Sequence, residues 1–166
     1  YEVGGKWKTM KTFCRSVDLI VTEKIDIQKL SNRDFVKCFI AYREILQKER
    51  FFDFNSIIQT ILEVLKNDTE AMEQLKKTVK HVVFDEYQDV NKLQEELLEQ
   101  LSKGATSVCV VGDDDQNIFQ WRGSDVSYII RFPERYKKYG VTTEKLDTNY
   151  RATKGLVYTA DKLIRN

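Results

Sequence analysis

Three short polar clusters, each following a β-branched or apolar run, hold the side chains of this chain best suited to chemistry. The first lies in "VVFDEYQDVNKLQ" (82–94), where Asp85 and Glu86 stand side by side. Adjacent carboxylates at a strand end suit Mg²⁺ and water handling. One can hold the ion, which takes one or two carboxylates and keeps several waters, and the other can deprotonate an attacking water. A solvated turn ahead of an acidic helix N-terminus explains the same pair, with Asp89 favouring the macrodipole.

The second cluster is "VVGDDDQNIFQWRGSD" (110–125). Three successive carboxylates repel one another, so a purely structural turn gains little from them. Gln116 has both a donor and an acceptor, which suits contact with a phosphate oxygen and a water. Phe119 and Trp121, followed by Arg122, are the parts of a single-strand stacking platform, worth about 1–3 kcal/mol per base. An ordinary core Phe and Trp is the alternative. In the third cluster, "LDTNYRAT" (146–153), Tyr150 can stack on a nucleobase and Arg151 can neutralise a transferring phosphoryl group. Arg151 could equally pair with Asp147.

These clusters need elements to position them. Up to about Val79 the pattern is helical. Trp7, Met10, Phe13, Val17 and Ile20 recur at helical spacing, as do Phe35, Cys38, Phe39, Tyr42, Ile45 and Leu46. Ser31 with Asp34 resembles a capping box. A further helix starts near Asn55, capped by Asp53 or Asn55, with Ile57, Ile58, Ile61, Leu62 and Leu65 on one face. Thr69 is the expected cap of the next, which ends near Thr78. From His81 strands and helices alternate: strands at 81–86, 106–111 and near 142–147, helices near 91–102, 125–131 and 154–165. Gly104 stands at a helix C-terminus. Alternation with connections this long predicts parallel strands and right-handed crossovers, hence an α/β fold. Consecutive apolar residues at 82–84 and 108–111 predict strands buried on both faces. All three clusters would then meet at the carboxyl rim, where open parallel sheets bind ligands.

Composition sets the outer limits. The 166 residues are 42% hydrophobic and 32% charged, those of a folded globular protein. A net charge of +1 provides no global field for nucleic acid. Cys14, Cys38 and Cys109 have no paired spacing, which predicts buried apolar residues in a reducing, cytoplasmic setting. His81 reads as a strand-entry residue, and Lys11, Lys24, Lys76, Lys77 and Lys80 as solvated helix faces. No apolar run is long enough for a membrane span and no signal segment opens the chain. The start at Tyr1 rather than Met is read as the interior of a longer protein.

Taken in order, "DEYQD", "GDDDQ" with "WRG", and "LDTNYR" resemble motifs II, III and IV of the UvrD/Rep/PcrA-type (superfamily 1) DNA helicases. The resemblance is specific over 81–166; before that, "FFDFNSIIQTILEVL" (51–65) resembles the family's Asp-Phe-x-Asp stretch, with Asn55 replacing the second acid. Asn117, Phe119, Ser124 and Ala152 depart from the commoner family residues. The resemblance implies the back half of a RecA-like sheet over 79–166, a partial P-loop NTPase fold, preceded by a helical segment over 1–78 from the family's inserted helical subdomain. It implies ATP and Mg²⁺ as cofactors and single-stranded DNA as partner, with Asp85 on the metal and Glu86 as catalytic base. Gln88 would couple the nucleotide site to DNA, Gln116 would contact the γ-phosphate, Arg151 would be the arginine finger and Tyr150 would stack on adenine. Phe119, Trp121 and Arg122 would face DNA.

The chain contains no Gly-x₄-Gly-Lys-Ser/Thr; the Gly-Gly-Lys at 4–6 runs into Trp7 without the earlier glycine. The expectation is therefore an internal piece of an ATP-dependent, 3′-to-5′ translocase, a helicase or helicase-nuclease subunit acting in DNA repair, itself inactive. The rivals are a non-catalytic DNA-binding or regulatory relative lacking the loop, and a Mg²⁺-dependent nuclease using Asp85, Glu86 and the carboxylates at 113–115.

Overall fold

A computed structural model describes residues 2–165; Tyr1, Asn166 and the side chains of residues 2–8 and Arg122 lie outside that description. The Trp7 side chain, expected on the apolar face of the first helix, therefore falls outside it too. Four helices come first: α1 (Glu2–Thr22), α2 (Arg33–Glu49), α3 (Phe54–Asn67) and α4 (Thr69–Thr78). Then β1 (His81–Phe84), α5 (Lys92–Ser102) and β2 (Ser107–Val110) form a strand–helix–strand unit. The short helices α6 (Ser127–Ile130) and α7 (Phe132–Arg135) follow, and α8 (Lys154–Ile164) ends the fold.

Local chemistry sets the helix starts. Asp53 caps α3 in a reciprocal box: its Oδ1 accepts from the Ser56 amide at 2.6 Å, and the Ser56 hydroxyl accepts from the Asp53 amide at 2.9 Å. Asn91 and Gln94 make the same box for α5 at 3.0 and 3.1 Å. Two expected caps are off by one residue. Asn32, not Ser31, accepts from the Phe35 amide, and Asp68, not Thr69, accepts from the Ala71 amide, each at 3.0 Å. A cap must reach the amide three residues on, and in each pair only that residue stands at the required offset. Gly104 follows the C-cap Lys103 of α5, and its role is room: a Cβ there would lie 2.6 Å from the Lys76 Cα of α4.

β1 and β2 pair in parallel, with His81 opposite Ser107 and Phe84 opposite Val110. The α/β expectation holds as a two-stranded parallel sheet within a helix-rich chain. One face of this sheet is covered. Val82 joins Tyr87, Val90 and Leu98 in a core flanked by Phe84, Val108, Val110, Ile129 and Phe132. The other face is open, with Val83 70% exposed, which corrects the expectation of burial on both faces. Among the described residues nothing packs over it. Cys109 lies exposed in β2, and Cys14 and Cys38 are exposed on α1 and α2, so the expected burial of the cysteines is also wrong. His81 opens β1 as expected, its Nδ1 2.8 Å from the Ser107 hydroxyl.

A second core joins the two halves of the sequence. Val17, Ile20 and Val21 of α1, Phe39 of α2 and Leu62 of α3 pack around Leu93 of α5. Lys24 and Lys66 both bind Glu96 of α5, which braces the same seam. The strand expected near 142–147 does not form; 141–149 carries no regular element. Strand pairing needs a neighbour, and β1 and β2 are bonded only to each other among the described residues. The helix expected at 125–131 breaks at Arg131, and Pro133 opens α7 from a position where its missing N–H costs nothing.

Candidate functional site

The ladder between β1 and β2 runs on past both strands: the Val111 amide bonds the Phe84 carbonyl at 2.8 Å, and the Tyr87 amide bonds the Val111 carbonyl at 2.9 Å. This brings the first two polar clusters together at the carboxyl end of the sheet. Asp85 and Glu86 are both exposed there. The Asp85 Oδ1 accepts from the Glu86 amide at 2.9 Å, which leaves its second oxygen outside that turn. Glu86 sits in the left-handed region (φ 52°, ψ 42°), a conformation that costs a non-glycine residue about 1–2 kcal/mol. Such strain persists only where the surroundings over-determine it.

Gln88 is what ties the clusters. It is 1% exposed, and its amide group points two ways. Nε2 donates to Glu86 Oε2 at 2.6 Å, while Oε1 accepts from the Asp113 amide at 3.1 Å. Its carbonyl accepts from Asn117 Nδ2 at 2.5 Å. A Cβ on Gly112 would come within 2.5 Å of Gln88 Oε1 and 3.1 Å of the Tyr87 nitrogen, so a larger residue there would displace the Gln88 amide. The expected repulsive triple of carboxylates is partly structural. Asp113 closes a turn, accepting from the Asp115 amide at 3.1 Å and from Gln116 Nε2 at 2.7 Å. Gln116 thus stays exposed but tethered. Behind Glu86, the Asp89 Oδ1 is buried with no partner, and desolvation plus the Glu86 charge raise its pKa.

From Asn117 the chain leads to the aromatic pair. Phe119 and Trp121 lie 6.3 Å apart between ring centroids, tilted by 57°. Trp121 is 55% exposed and outside both cores, so it is not the core tryptophan of the alternative reading. The Arg15 guanidinium of α1 sits over its ring, 5.1 Å from the centroid. The Arg122 side chain lies outside the description. Ser124 and Asp125 return beside Asn91 and Val90, anchoring the far end of the loop to the start of α5.

The third cluster does not join this rim. Tyr150 is 93% exposed, and Asn149 Oδ1 accepts from the Arg151 and Ala152 amides at 2.9 Å each in a local turn. Among the described residues there is no third strand to carry Tyr150 and Arg151 to the sheet edge. The expected three-way convergence is therefore a two-way one.

Sequence reasoning missed the support beneath Glu86. Glu95 of α5 is buried and binds the hydroxyl of the fully buried Tyr87, the Tyr136 hydroxyl at 3.1 Å and Arg135 at 2.6 Å. Burial and the Glu95 bond push the Tyr87 phenol far above its ordinary range; burial and Glu95 also raise Tyr136. Helical spacing puts Glu95 beside Leu98 on the buried side of α5, but its polar type hid it. For Mg²⁺, the donor set fits: Asp85 is one exposed carboxylate, and the ion needs no more than one or two. No cluster of three or more His, Cys, Asp or Glu able to cage a metal exists among the described residues.

A polar rim at the carboxyl end of a parallel strand–helix–strand unit is where open α/β sheets bind ligands. A family model for the UvrD/REP helicase N-terminal domain matches residues 7–137, and the chain belongs to that family. The chain is 35% identical over 128 residues to the ATP-dependent DNA helicase PcrA of Bacillus subtilis, covering 77% of this chain and 17% of the relative. It is 34% identical over 146 residues to PcrA of Staphylococcus epidermidis, covering 85% and 20%. With PcrA of Staphylococcus aureus it shares 34% identity over 128 residues, covering 77% and 17%. The chain thus spans about a fifth of the length of these relatives. Tyr150 and Arg151 lie past the last residue of the family match. No helix among the described residues is long and apolar enough to cross a membrane.

Proposed function

We propose that the chain supplies the metal, base and DNA-facing parts of an ATP-dependent helicase that moves 3′ to 5′ along single-stranded DNA, as part of a longer motor with a phosphate-binding loop. The carrying observation is Gln88, whose one amide group bonds both Glu86 and the loop leading to Phe119 and Trp121. A nucleotide-dependent shift of the Glu86 carboxylate would pull on that loop directly.

In this reading Asp85 would hold Mg²⁺, which when bound would supply neutralisation of phosphate charge. Glu86 orients and deprotonates the attacking water. Its carboxylate is already aimed by the Gln88 N–H, and its backbone by the turn that Asp85 closes. Gln116 exchanges its bond to Asp113 for the γ-phosphate, so Asp113 acts as its resting partner. Phe119, Trp121 and Arg122 face the single strand. Arg151 and Tyr150 reach the finger and adenine positions only once 141–153 is drawn to the rim by the rest of the motor and ATP. Domains at 1–78 and 79–166, a role in DNA repair and a cytoplasmic location belong to the same proposal.

The decisive experiment is Glu86→Gln in the full-length protein. ATP turnover should fall by at least about 10²-fold, the lower end for a lost general base, while ATP binding changes little. Normal turnover in that variant removes the base assignment, and absence of DNA-stimulated ATP turnover in the unsubstituted full-length protein removes the motor reading.

A further inference from the structure

We infer that Arg15 and Lys11 of α1 form, with Trp121, a composite single-strand surface in which the helical segment contributes the phosphate contacts. The inference rests on the reading of Phe119 and Trp121 as DNA-facing. Arg15 is exposed, and its guanidinium covers the Trp121 ring at 5.1 Å while that ring remains 55% exposed. A planar guanidinium can meet an indole with its face and still direct N–H donors outward in its own plane. One residue can therefore orient the stacking platform and bind the phosphate of the base stacked on it.

Charge along α1 supports the same partner. Residues 3–17 include Lys6, Lys8, Lys11 and Arg15 and no Asp or Glu, against a nearly neutral whole chain. Lys11 is exposed one turn before Arg15, about 6 Å along the helix axis, and so extends the cationic face away from the tryptophan. The first acid beyond this stretch, Asp18, accepts from Asn55 Nδ2 at 2.9 Å. Glu23, further on, lies at Gly123, its Oε1 3.1 Å from where a Cβ would stand. A polyanion with aromatic bases matches an aromatic platform flanked by cations; an apolar peptide matches only the ring.

Binding of the whole chain to fluorescein-labelled oligo-dT, followed by anisotropy over a range of salt concentrations, tests this. Arg15→Ala should weaken binding roughly fivefold, through one lost phosphate contact and a less well oriented Trp121 ring. Arg15→Lys should recover only part, since it restores charge without the planar face. Lys11→Ala should reduce the slope of log K against log salt by about 0.7, one phosphate on a single strand. The double variant Arg15→Ala/Trp121→Ala should lose less than the product of the single losses, because the two side chains act as one unit. Wild-type affinity in Arg15→Ala, with Trp121→Ala weakened, overturns the inference and leaves the DNA-facing reading standing. A strictly multiplicative double variant overturns the shared-unit claim. Wild-type affinity in Trp121→Ala, or no binding by the unsubstituted chain, removes the underlying reading itself.

Discussion

Replacing Glu95 by alanine tests whether the strained turn at Glu86 is held from below. The Glu95 carboxylate is buried and takes the hydroxyls of Tyr87 and Tyr136 and the guanidinium of Arg135. Removing it leaves the Tyr87 hydroxyl without an acceptor at a fully buried position. Arg135 is less affected, because it is partly exposed and keeps Glu99 at 3.2 Å. Loss of one partner from a buried charged network costs about 3–5 kcal/mol. Tyr87→Phe removes one donor and leaves two, so it should cost only about 1–2 kcal/mol. Urea unfolding of the chain followed by circular dichroism at neutral pH gives both numbers, and their double-mutant cycle gives the coupling. A loss below about 1 kcal/mol for Glu95→Ala would equate the network with an exposed ion pair and refute the argument.

Other outcomes follow from single contacts. Gly112→Ala should destabilise the chain by about 1–3 kcal/mol, since its Cβ would meet Gln88 Oε1 and the Tyr87 nitrogen; unchanged unfolding would contradict the close approach. Asp53→Ala removes the α3 cap and the acceptor of the Tyr42 hydroxyl, 2.6 Å away, for about 1–2 kcal/mol by thermal or urea unfolding. Burial and the Asp53 bond push Tyr42 up to about 12, and Tyr87 and Tyr136 are raised by burial and Glu95. Raised phenols favour the folded state fully below the unfolded value near 10, so stability should decline as pH climbs from about 10 toward 12. Tyr42→Phe should flatten that decline, and a pH-independent unfolding midpoint across the range would count against it.

The order of elements was legible because it depends on period and caps. The apolar spacing at Phe13, Val17 and Ile20 marks α1, and "DFNS" at 53–56 places the α3 cap. The parallel pair was legible too, since 81–84 and 107–110 are short apolar runs separated by an amphipathic helix. Errors arose where the outcome depends on a partner. Period 2 cannot say whether anything covers Val83, and apolar type alone did not bury Cys14, Cys38 or Cys109. The run at 142–147 reads as a strand, yet a strand exists only with a neighbour to bond.

By itself the sequence determined which residues could do chemistry, since Asp85, Glu86, Gln88, Gln116 and the Phe119–Trp121 pair are matters of type and spacing. Tertiary structure alone decided how they connect. Gln88 is an unremarkable amide until the sheet places Asp113 against it, and Glu95 is an ordinary helix glutamate until Tyr87, Tyr136 and Arg135 close over it. Arg15 meets the Trp121 ring only because α1 crosses the loop that carries it. Side-chain type is carried along the chain. Hydrogen-bond partnership over tens of residues requires distance, and distance is set by packing.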